Sequence, residues 1–184
     1  MLVRRLTVHD HAEVRALRLR ALQGAPDAYG SSYEREVAFA DDVWRDRLRP
    51  GGNPHFGAVD ETGALVGMAV GELDDDDPDG AYVLAVWIDA SARGGDLLSR
   101  LVDEVAAWAA GQQRTVLRLH VTDGNERAER AYRRLGFVRT GDFEVRPRDD
   151  AREYEMVRPN EAPCAQRCGR LRPTPRRPGT WPPR

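Results

Sequence analysis

The run Ala81-Tyr-Val-Leu-Ala-Val-Trp-Ile88 constrains the fold more than any other stretch of this chain. Eight successive residues carry no charge and are nearly all apolar. Such a run reads as a strand buried on both faces, which needs a layer of structure on each side of its sheet. Its borders are clear. The acidic turn Asp74-Asp-Asp-Asp-Pro-Asp-Gly80 comes before it and the loop Ser91-Ala-Arg93-Gly-Gly95-Asp96 after it. Leu97–Gln112 follows, with Leu98, Leu101, Val102, Val105 and Trp108 on one helical stripe, so a helix packs back on the sheet.

The rest of the chain supplies further layers. Val3–Leu6 reads as a first strand. A helix follows, with Val14, Leu17, Ala21 and Leu22 on one face, and a second helical stretch spans residues 32–48. Pro50-Gly-Gly-Asn-Pro54 is a loop. Phe56–Val59 and Leu65–Leu73 form a hairpin across Asp60-Glu-Thr-Gly63. Val116–Val121, Phe137–Thr140 and Tyr154–Val157 complete the strands. The order βααβββαβαββ predicts an α/β fold with a mixed, mostly antiparallel central sheet flanked by helices.

Asn125-Glu-Arg-Ala-Glu-Arg-Ala-Tyr132-Arg-Arg-Leu-Gly136-Phe137 is the second signature. Ala128, Ala131, Tyr132 and Leu135 fall on one helical face. Asn125 suits the N-cap, and Gly136 suits the left-handed stop at the other end. A phenol on that stripe either packs or presents its hydroxyl to a cleft.

The pattern Asn-x-x-Ala-x-x-x-Tyr-x-x-x-Gly-Phe resembles the acyl-CoA-binding helix of the GNAT N-acetyltransferases. The likeness extends through most of residues 2–158, so a GNAT-like sheet is expected. It implies acetyl-CoA as co-substrate, with Tyr132 as the acid that protonates the leaving CoA thiolate and Asn125 at the cofactor channel. The loop Arg93–Leu98 resembles the family's Arg/Gln-x-x-Gly-x-Gly/Ala pyrophosphate cradle. Arg93, Gly94, Gly95, Asp96, Leu97 and Leu98 are therefore expected to bind cofactor at a helix N-terminus. This chain departs from the pattern at Asp96 and Leu98, where the family has small residues. A carboxylate there would oppose the pyrophosphate unless it turns outward as an N-terminal helix residue. Main-chain groups of Val86, Trp87 and Ile88 are expected to pair with the pantetheine arm as an added strand.

Acetyl transfer to an amine needs the amine neutral. Family members that use a glutamate on the central strand, or five residues before the motif asparagine, have Tyr82 and His120 at those places here. His120 suits a base near neutral pH; it equally suits an ordinary sheet histidine, with Asp123, Glu72 or a water chain as the base. Pro26-Asp-Ala-Tyr-Gly30-Ser resembles the family's Pro-x-Ala-Phe-Gly-Ser segment, which implies acceptor contacts from Tyr29, Tyr33 and Glu34. The acceptor is expected to be a small-molecule or peptide amine. A non-catalytic acyl-CoA-binding regulatory domain is the alternative, motivated by Asp96, Leu98 and the missing strand glutamate. A homodimer is among the assemblies the resemblance implies.

Composition narrows the rest. The chain has 184 residues, 41% of them hydrophobic, enough for one domain with a core. It holds no apolar run of membrane-spanning length and no leader pattern, so a cytoplasmic protein without membrane contacts is expected. Residues 159–184 carry six arginines, one glutamate and seven of the twelve prolines. They are expected to form a disordered tail following a domain of residues 1–158. That tail offers only unspecific, salt-dependent affinity for nucleic acid. Cys164 and Cys168, with no second pair or nearby histidine, imply no metal.

Overall fold

The computed structural model describes residues 1–160. Seven strands form one sheet in the order β1-β2-β3-β4-β5-β7-β6. They are β1 Leu2–Arg5, β2 His55–Val59, β3 Leu65–Leu73, β4 Gly80–Ile88, β5 Val116–Thr122, β6 Val138–Val145 and β7 Arg152–Pro159. Every neighbouring pair is antiparallel except β4 and β5, which run parallel. The fold is thus α/β with a mixed, mostly antiparallel sheet, as the pattern of elements predicts.

Five α-helices flank it: α1 His11–Gly24, α2 Tyr33–Val37, α3 Asp41–Arg47, α4 Leu97–Gly111 and α5 Glu126–Arg134. The stripe on α4 does what its spacing requires. Leu101, Val102 and Val105 are buried against Phe56, Ala69, Val83 and Leu117 of the sheet. Each large apolar side chain removed from water in this way contributes about 1.5–3 kcal/mol. The opposite face is covered by α1 and α3, where Val14, Leu17 and Trp44 pack on Leu65 and Met68.

Three expectations need correcting. The single helical stretch over residues 32–48 is two short helices, because Ala40 is extended and α3 starts afresh at Asp41. The connection is held by Glu36, only 1% exposed, whose carboxylate takes Arg18 and Arg47 at 2.9 Å each. β6 and β7 are longer than the apolar patterning suggests, and Phe137 is a core plug before β6 rather than its first residue. Pro159 and Asn160, assigned to the tail, belong to the folded body. Pro159 closes β7, and the buried Asn160 amide donates to the carbonyls of Ala106 and Arg114. The remainder of the expected tail, with both cysteines, lies outside the described residues. Among the described residues no helix is long and apolar enough to cross a membrane, and no three His, Cys, Asp or Glu side chains gather as a metal site.

Candidate active site

The parallel ladder between β4 and β5 pairs Gly80 with Val116, Ala81 with Leu117 and Tyr82 with Arg118, and stops there. β4 continues to Ile88 and β5 to Thr122 without pairing, so the two strands splay. A bulge helps to bend β4 away. Ala85 and Val86 stand opposite the single residue Ala69 of β3, and Ala85 takes the left-handed backbone at φ 51°. A non-glycine residue holds that conformation at a cost of about 1 kcal/mol. This splay explains why the run 81–88 is covered on both faces only in its first half: from Leu84 onward it is half-buried, because a gap opens beside it.

Two clefts open from that gap. The first, about 590 Å³, lies against Val86, Trp87 and Ile88, the loop Arg93–Gly95 and one face of α5. Leu97, Leu98 and Ser99 also line it. They form the first turn of α4, whose earliest helical hydrogen bond runs from Arg100 N–H to the Asp96 carbonyl. The free N–H groups of that turn therefore lie at the wall of the cleft. Gly94 makes the turn possible at φ 92°, a region that favours glycine. Asp96 is exposed, makes no capping hydrogen bond and is absent from the lining. Leu98 lines the cleft and packs against the core. Arg93 donates from Nε to the Ile88 carbonyl at 2.8 Å and lies 4.8 Å from the centre of the Trp87 ring.

The second cleft, about 390 Å³, opens on the other side of the splay. Tyr132, His120, Thr122, Ser31 and Glu153 line it. The two clefts share Ala28, Tyr29, Val86, Asn125 and Ala128, so they meet at the bulge.

Tyr132 is placed by the ends of α5. Asn125 accepts from Ala128 N–H at 3.1 Å, the expected N-cap. At the other end Phe137 N–H bonds to the Tyr132 carbonyl and Gly136 N–H to that of Arg133, with Gly136 at φ 86°. That is the Schellman closure. The Tyr132 ring packs edge-on against Phe137, 5.9 Å between centres. Loss of solvent, with a smaller contribution from Tyr29, pushes the phenol far above its ordinary range, so it stays protonated. No hydrogen bond ties the hydroxyl to the described residues, leaving it free for a ligand.

His120 stacks on Tyr82 with 5.6 Å between ring centres and faces the second cleft. Tyr33 and Glu34 line neither cleft. Tyr33 packs beside Ala21, Leu22 and Tyr29, while Glu34 is exposed in the first turn of α2. Tyr29 lines both clefts and donates its hydroxyl to the Val86 carbonyl at 3.1 Å. Sequence reasoning overlooked Arg127, Arg130 and Arg134, which add positive charge along the first cleft. Their i, i+3, i+7 spacing on α5 was the available signal. It also overlooked Glu153, which nothing local distinguishes.

The chain matches the family model described as acetyltransferase (GNAT) family over residues 17–137. By sequence, no curated protein matches it. Its fold is similar to that of a GNAT-family acetyltransferase from Streptococcus pneumoniae, with a TM-score of 0.73 at 19% identity over 86% of this chain and 98% of that one. A ribosomal-protein-alanine N-acetyltransferase from Brucella melitensis aligns at 0.66 and 21% identity, covering 86% and 99%. The protein yncA of Salmonella typhimurium, solved with its cofactor acetyl-CoA, aligns at 0.69 and 17% identity, covering 92% and 99%. With its splayed central strands and a family match across two thirds of its length, the chain belongs to the acetyltransferase (GNAT) family.

Proposed function

We propose that the protein transfers the acetyl group of acetyl-CoA to a primary amine of a small molecule or protein, by direct attack within a ternary complex. The observation that carries this reading is the meeting of two clefts at Val86, with Tyr132 beside the junction. One cleft has the charge and free main-chain donors for a phosphorylated cofactor; the other gives the acceptor its own approach. Direct attack needs both arms to converge on one carbonyl.

The residues suit the family's co-substrate. The first turn of α4, Gly94 and Arg93 would hold the pyrophosphate, with Arg127, Arg130 and Arg134 adding positive charge along the same wall. Asp96 lies outside the lining, which removes one of the three motives for a binding-only domain. At the junction, the main-chain N–H of Val86 would polarise the thioester carbonyl as an oxyanion donor does. Nitrogen attacks that carbon, the C–S bond breaks and the amine sheds one proton as the sulfur gains one. Tyr132 gives its hydroxyl proton to the departing sulfur and is reprotonated from solvent. His120, or water held beside it, takes the amine proton.

Calorimetric titration with acetyl-CoA tests the cofactor part of this reading. Saturable binding that arginine-to-alanine changes at 127 and 130 weaken is expected. No heat and no rise in melting temperature at millimolar ligand would overturn it.

A further inference from the structure

β4 presents an unusual edge to the gap. Asp89 N–H bonds to the Val66 carbonyl of β3, and the register sets Trp87 opposite Met68. Alternate residues of a strand point their main-chain groups to opposite sides. Trp87 and Asp89 therefore face β3, while Val86 and Ile88 face the splay. Their outward carbonyls are both taken by side chains: Tyr29 Oη donates to Val86 at 3.1 Å, and Arg93 Nε donates to Ile88 at 2.8 Å. With both acceptors engaged, the edge at Val86 and Ile88 presents its N–H donors to the clefts.

We infer that Tyr29 is a positioning residue: by holding the Val86 carbonyl at the bulge, it fixes the Val86 main chain so that its N–H meets the acetyl carbonyl of the bound thioester. The inference rests on the proposed use of acetyl-CoA.

Three observations support a built arrangement. Val86 belongs to the bulge, where it shares Ala69 with Ala85 instead of having a register partner of its own, and where a strand is otherwise loosest. Tyr29 is 8% exposed and is itself gripped, with the Arg18 guanidinium 4.6 Å from its ring centre. Arg18 is anchored in turn by the buried Glu36 carboxylate, which also holds Arg47. A chain of contacts thus runs from the α2–α3 connection to the carbonyl at the junction. Burial pushes the Tyr29 phenol up to about 12, so the hydroxyl remains a donor throughout the neutral range. Without that donor, the Val86 carbonyl would turn its negative end free beside the place where negative charge develops on the thioester oxygen.

The test compares Tyr29→Phe with the unaltered protein, using acetyl-CoA and CoA as paired ligands. CoA lacks the acetyl carbonyl, so only acetyl-CoA reads the Val86 donor. The variant should weaken acetyl-CoA about fivefold or more while CoA stays within about twofold. The infrared stretch of a 13C-labelled acetyl carbonyl, lowered in the bound state of the unaltered protein, should return toward its value in free solution. A merely structural tyrosine would lower the melting temperature and move both ligands together. An unchanged ratio with an unchanged carbonyl stretch would overturn the inference while leaving the cofactor reading intact. Failure of the unaltered protein to bind either ligand would overturn both.

Discussion

Tyr82 stands opposite Arg118 on the last rung of the parallel β4–β5 ladder. Beyond this rung the strands part and both clefts begin. Arg118 also gathers three carboxylates, those of Asp74, Asp77 and Glu155, with only 20% of its side chain exposed. One guanidinium therefore ties the acidic turn before β4 to β5 and β7 at the point where the sheet opens.

Replacing Arg118 by alanine would leave three carboxylates facing each other without a counter-ion. We expect a loss of about 2–4 kcal/mol in urea unfolding, and weakened ligand binding as the turn before β4 loosens. Arg118→Lys should recover only part of this, since one ammonium lacks the planar fork that serves three partners.

Tyr132→Phe keeps the ring against Phe137 and removes only the hydroxyl. Melting temperature and acetyl-CoA affinity should change little. Turnover should fall about 100-fold or more, the usual loss for a positioned proton donor. Steady-state kinetics beside a melting curve separates this from unfolding.

Gly94 and Asp96 are two residues apart but should behave oppositely. Asp96 is exposed and outside the lining, so Asp96→Asn should leave CoA affinity within about twofold. Gly94 has φ 92°, where a branched side chain is strained. Gly94→Val should weaken CoA binding about tenfold or more, through the turn that presents the α4 donors. Calorimetry on both variants checks the contrast.

Burial raises the Tyr29 phenol to about 12 and also raises Tyr82 to about 12. The fold therefore favours the neutral phenols. Their contribution is whole below an unfolded pKa of about 10 and is lost as pH climbs from there toward 12. For Tyr29 it is about 3 kcal/mol. Melting temperature should fall steeply across that window, and less steeply in Tyr29→Phe, so any stability advantage of tyrosine over phenylalanine shrinks as pH rises. A parallel fall in both proteins would contradict it.

The elements that build the site were legible where local chemistry decides them. Asn125 and Gly136 mark both ends of α5 because capping depends on a few adjacent residues. The α4 stripe declares its buried face by spacing alone. The splay was not legible. It depends on where a parallel ladder ends and on a bulge at Ala85, an ordinary residue in an unusual backbone. The engagement of Tyr29 with Val86 joins residues 57 apart and leaves no local trace. The break at Ala40 was hidden for a similar reason: the helical pattern continues through it, and the buried Glu36 that holds the connection takes its partners from α1 and α3.

The central claim is that cofactor and amine meet at Val86 beside Tyr132. Thiol release from acetyl-CoA across a broad amine panel, run with the unaltered protein and Tyr132→Phe, tests it most directly. The account predicts release dependent on both protein and amine, one acetylated product per thiol, and a rate about 100-fold lower or more in the variant. Release that is equally fast in the variant, or no release with any amine from protein that binds acetyl-CoA, would contradict it.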